Sequence, residues 1–99
     1  MLTNLPRATR MRLPISIMYR RAGEDTWFES TVVNLSESGA LFGPTELQPG
    51  AHVEVIFSPP IRVGSMPTGR QVCVAEVVRA TEAGVAAVRF QECRFLLES

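Results

Sequence analysis

The sequence contains no lysine, one histidine, one tryptophan, one tyrosine and two cysteines, and no long uninterrupted apolar run. Each shortage narrows the possibilities. A membrane span needs about 18 consecutive apolar residues, so membrane insertion is not expected. The opening residues MLTNLPRATR hold no apolar stretch ahead of a small-residue cleavage site, and a secretory leader is not expected either. Cys73 and Cys93 stand far apart with no C-x-x-C, which favours reduced thiols in a cytoplasmic protein. His52 has no partners at metal-ligand spacing and no Ser/His/Asp set around it, so neither a metal site nor a catalytic residue is expected. A surface position suits it better. The chain reads as a binding protein rather than an enzyme.

Ninety-nine residues, 45% hydrophobic and 20% charged, make one ordinary globular domain. The formal net charge is zero, but it is unevenly spread. Residues 1–21 carry Arg7, Arg10, Arg12, Arg20 and Arg21 and no acid, whereas the remainder holds five arginines and all ten acids. Such polarity suggests that the leading segment meets an anion, either a ligand or the acidic rest of the protein. A nucleic-acid polymer is a poor fit. The basic residues gather in one segment, and the few aromatics fall mostly at core positions.

From Pro14 onward the pattern is of short strands. Ile15, Ile17 and Tyr19 alternate with Ser16, Met18 and Arg20, the period of a half-buried strand. A second strand is expected over 27–35, with Trp27, Thr31, Val33 and Leu35 on one face and Phe28, Ser30, Val32 and Asn34 on the other. Trp27 is expected to pack in the core or at a barrel mouth. Ala40–Phe42 forms a brief third strand, and Val53, Val55 and Phe57 mark a fourth after the Leu47-Gln48-Pro49-Gly50 turn. Residues 58–69, with three prolines and two glycines, suit an irregular connection. Val72–Arg79 and Val85–Phe90, joined by Thr81-Glu82-Ala83-Gly84, read as a hairpin. Six short strands of this spacing predict an all-β antiparallel barrel or sandwich. Residues 91–99 are left as a C-terminal tail or a short helix.

Two features point to function. Asn34-Leu35-Ser36-Glu37-Ser38-Gly39 spells N-x-S-x-x-G at a turn between strands, and Arg7-Ala8-Thr9-Arg10-Met11-Arg12 precedes the first strand. Asn34 and Ser36 are also ordinary turn formers, and Asn34 with Glu37 matches the spacing of a helix capping box. The combination resembles the PilZ domain, a bacterial receptor module for cyclic di-GMP. The likeness extends through Leu47–Gly50, Val53–Phe57 and Gly84–Phe90, and covers roughly residues 7–90. In that family R-x-x-x-R precedes the first strand of a six-stranded barrel, and [D/N]-x-S-x-x-G follows the second. Here Arg7 and Arg10 stand one residue closer, as R-x-x-R, with Arg12 as a further candidate.

The resemblance implies a flexible arginine-rich arm at 1–13, a six-stranded PilZ-like β-barrel at 14–90 and the tail at 91–99. It implies cyclic di-GMP as a ligand, with no cofactor. Arg7, Arg10 and Arg12 would contact guanine and phosphate, and Asn34, Ser36 and Gly39 would form the platform. It also implies an unidentified protein partner in motility, biofilm or exopolysaccharide control. The alternative within the same family is an adapter that makes protein contacts without binding the nucleotide. The residue chemistry suits the first. Guanine O6 and N7, like phosphate oxygens, accept paired bonds from arginine, and Gly39 supplies positive φ or close backbone approach.

Overall fold

A computed structural model describes residues 15–95. Six strands form in chain order: β1 (Ile15–Arg21), β2 (Phe28–Ser36), β3 (Gly39–Gly43), β4 (His52–Phe57), β5 (Gln71–Ala80) and β6 (Ala86–Phe95). They close into a barrel in the order β1-β2-β3-β6-β5-β4, with every neighbouring pair antiparallel. The expected six-stranded barrel is therefore what the chain builds.

The inward positions follow the alternation in sequence. Ile15, Ile17 and Tyr19 of β1, Val53, Val55 and Phe57 of β4, and Cys73, Ala75 and Val77 of β5 are all buried. β-Branched and aromatic residues suit such a pleated, half-buried surface. Phe42 on β3 is fully buried, and its ring lies 5.3 Å from that of Tyr19. Ser30 is a polar exception on the inner face. Its hydroxyl donates to the Pro44 carbonyl at 2.5 Å, so a buried polar group is satisfied.

Strand β2 departs from strict alternation. Val32 pairs with Phe42 but Asn34 pairs with Leu41, leaving Val33 as an extra residue in a bulge. Before the bulge the even positions Ser30 and Val32 face inward; after it the odd position Leu35 does. Val33, 56% exposed, and Leu35, 8% exposed, therefore do not share a face as the plain alternation predicts. Asn34 is likewise released from the face it would share with Val32. One extra residue turns both Asn34 and Ser36 outward.

Three other expectations need correction or narrowing. Residues 91–95 are not a tail or helix but the continuation of β6, because β5 begins at Gln71 and its first residues pair with Phe95, Arg94 and Cys93. A register shift at Gln91 keeps the lengthened strand in phase with β5. Residues 96–99 lie outside the described residues. Cys73 and Cys93 are not free thiols: they are Cα partners 4.0 Å apart and form a disulfide. Hairpin register, rather than sequence spacing, brings them together, and the argument for a reducing compartment loses this support. Of the two places expected for Trp27, the core does not apply. Trp27 precedes β2, half-buried, with the Arg20 guanidinium 4.6 Å above its ring and Arg20 paired to Glu54 at 2.8 Å. His52 is exposed, as expected.

Candidate functional site

The outward turn of β2 places the N-x-S-x-x-G residues on a shared surface. Across β2–β3, Asn34 lies opposite Leu41 and Ser36 opposite Gly39. Across β3–β6, Leu41 lies opposite Ala87 and Gly39 opposite Arg89. Asn34, Ser36, Gly39, Leu41 and Ala87 line a shallow groove of about 210 Å³, together with Ala40 and Val88. Two larger grooves on the barrel, one lined by residues of β1 and β4 and one beside Pro44–Leu47, are lined by other residues.

Each motif residue has a distinct local reason for its position. The Ser36 hydroxyl accepts from the Ser38 amide at 3.2 Å, tightening the turn between β2 and β3. It also lies 3.4 Å from the Gly39 carbonyl, to which it donates. Gly39 does not have positive φ. Its role is close approach: a Cβ there would collide with the Val88 carbonyl oxygen on β6. Of the two reasons the sequence allowed for a glycine here, the second applies. Asn34 is exposed on the groove, with no hydrogen bond to its side chain among the described residues.

Glu37 does not act as a helix cap, since the turn leads directly into β3. Its Oε1 accepts from the Ser65 amide at 2.6 Å and from the Ser65 hydroxyl at 2.7 Å. These two bonds, the side-chain one first, hold the Glu37 carboxyl below the usual value of 4.5. Glu37 thus points away from the groove and toward the β4–β5 connection.

The expected arginines Arg7, Arg10 and Arg12 lie outside the described residues. Arg89 is a residue that the sequence argument passed over. It stands opposite Gly39, exposed, in a loose 3.5 Å pair with Glu76. The VRF pattern around it was visible, but its neighbour across the ladder was not. No group of three or more His, Cys, Asp or Glu that could hold a metal occurs among the described residues.

Searches of curated proteins and of solved structures returned no significant match. The family model of the PilZ domain matches residues 5–97, nearly the whole chain. With the six-stranded barrel and the N-x-S-x-x-G turn on its surface, the chain belongs to the PilZ domain family.

Proposed function

We propose that the protein is a cyclic di-GMP receptor that binds the nucleotide between the arginine segment and the Asn34–Gly39 turn, and signals through protein contacts. The observation that carries this reading is the β1–β2 register. Ile15 is the Cα partner of Val32, two positions before Asn34. The arginine segment therefore joins the barrel at the end where the turn lies. Arg10 precedes Ile15 by five residues, an extended reach of about 17 Å at roughly 3.3 Å per residue. Arg12 is closer still. That reach accommodates the R-x-x-R spacing, because the guanidinium arm adds its own length and freedom.

The chemistry of the two sides is complementary. Two phosphodiesters and two guanines call for cations with planar, paired donors, which Arg7, Arg10 and Arg12 provide. The guanine N1–H and N2–H₂ edge calls for an acceptor, which the exposed Asn34 amide oxygen provides. Ser36 adds a hydroxyl, and the side-chain-free Gly39 leaves room for the ligand to approach the sheet. Closure of the arginine segment over the turn would change the surface offered to a protein partner. Binding, not catalysis, is the activity this arrangement supports.

Calorimetric titration with cyclic di-GMP tests the reading on the unaltered protein, Arg10→Ala and Asn34→Ala. Micromolar or tighter binding is expected, weakened by about tenfold or more in either variant, the cost of losing a charge-assisted or bidentate contact. Absence of heat together with absence of NMR shifts at saturating nucleotide would overturn it. The shortened arginine spacing favours a second reading, an adapter that recruits its partner without nucleotide. Recovery of the same partner with and without cyclic di-GMP, and by Arg10→Ala, would support that one.

A further inference from the structure

The connection between β4 and β5 folds back on itself. Val63 and Met66 exchange backbone hydrogen bonds of 3.0 and 2.9 Å, making a tight turn with Gly64 and Ser65 at its tip. Met66 and Pro59 are buried, so the base of this connection is anchored in the core. Its tip reaches the β2–β3 turn, where Ser65 donates both its amide and its hydroxyl to Glu37 Oε1, at 2.6 and 2.7 Å. Gly64 is shaped to this contact. It has a φ of +59°, and a Cβ there would lie 2.5 Å from the same carboxylate oxygen.

Glu37 sits between Ser36 and Ser38, the two residues whose mutual hydrogen bonds set the form of the groove-lining turn. The two bonds to Ser65 at Glu37 therefore restrain the backbone from which Ser36 and Gly39 are presented. Farther along the same connection, Ile61 is 54% exposed, an apolar side chain on a segment tied to the candidate site.

We propose that Glu37 is a positioning residue whose carboxylate fastens the Asn34–Gly39 turn to the β4–β5 connection, so that occupancy of the groove is transmitted to that connection. The proposal rests on the nucleotide-binding reading above. Linkage makes the effect reciprocal: a ligand that depends on the fastened turn must in turn strengthen the fastening. The bonds to Ser65 also hold the Glu37 carboxyl in its charged, accepting form below the ordinary carboxylate range.

The test combines calorimetry and amide NMR on the full chain, with cyclic di-GMP as the probe, for the unaltered protein, Glu37→Ala, Glu37→Gln and Ser65→Ala. In the unaltered protein, nucleotide should shift the amides of Gly64 and Ser65 along with those of Ser36 and Gly39. Glu37→Ala should bind about fivefold or more weakly, the usual size of coupling between sites, and lose the Ser65 response. Glu37→Gln keeps an acceptor and should recover most of both. Unfolding midpoints separate a local effect from a global one, and if Glu37→Ala does not fold, Ser65→Ala and Glu37→Gln carry the comparison. Unchanged affinity with an unchanged Ser65 response in a folded Glu37→Ala protein would overturn the positioning role while leaving nucleotide binding intact. Failure of the unaltered protein to bind would overturn the parent reading and this one with it.

Discussion

Gly39 and Arg89 face each other across the β3–β6 ladder, and the Val88 carbonyl beside Arg89 occupies the space a Gly39 side chain would need. The glycine of the motif is thus a requirement of barrel closure before it is a requirement of any ligand. The obstructing atom belongs to the backbone of a paired strand and has little room to give. Gly39→Ala should lower unfolding free energy by about 1–3 kcal/mol, the usual cost of overpacking. Denaturant titration at constant slope checks it, and a variant as stable as the parent would contradict the close-approach assignment.

The Cys73–Cys93 bond joins residues separated by 20 positions. A loop of that size restricts the unfolded chain by about 3 kcal/mol in the entropic account. Replacing both cysteines by alanine should cost a similar amount in chemical denaturation. Thiol labelling of the unfolded, unreduced protein offers the direct check: no label should attach before reductant is added, and prompt labelling at both positions would contradict the pairing.

Arg20 connects two elements, with its guanidinium over Trp27 and its Nε and Nη2 on Glu54 Oε1, each at 2.8 Å. Trp27 is the chain's single tryptophan, so its emission reports this cluster alone. Arg20→Ala should shift the emission to longer wavelength as water replaces the guanidinium. The accompanying loss of stability should be small, about 0.5–1 kcal/mol for a partly exposed cation–π contact. An unchanged spectrum would place the guanidinium elsewhere in solution.

Glu37 should show its tie to Ser65 in acid. Its carboxyl titrates below the ordinary 4.5 because the bonds from the Ser65 hydroxyl and amide favour the charged form. The fastening is therefore complete above the ordinary value and is lost as pH falls through the lowered one. The Ser65 amide signal, followed by NMR from neutral pH into acid, should move with a midpoint below that of an ordinary glutamate. A midpoint at or above the ordinary value would contradict the bonding.

The barrel was legible where alternation is uninterrupted. Ile15, Ile17 and Tyr19, and Val53, Val55 and Phe57, point inward as their spacing requires. Period-two reasoning fails at a bulge, because an extra residue leaves no mark in composition; Val33 is identical to Val32 before it and only the pairing reveals it. The disulfide was within reach. Cys73 and Cys93 each stand ten residues from Ala83 in the hairpin turn, and symmetric folding about that turn sets them opposite one another. Spacing along the chain was the wrong measure. The same limit applies to Glu37 and Ser65, separated by 28 positions and joined only in three dimensions. Asn34, Ser36 and Gly39 are legible as a group because they lie within six consecutive residues, whereas the stacking of Arg20 on Trp27 is not, because Arg20 lies apart in sequence on β1.

The closure of β1 onto both β2 and β4 has a consequence for recognition. Within the closed part of the barrel each strand has two hydrogen-bonded neighbours, so an incoming peptide finds no free edge there. Among the described residues β6 runs on past its last β3 partner, Arg89, to Phe95, paired with β5 alone. A protein that docks on the closed wall must read side chains and connecting segments, and main-chain pairing is open to it only along the β6 extension.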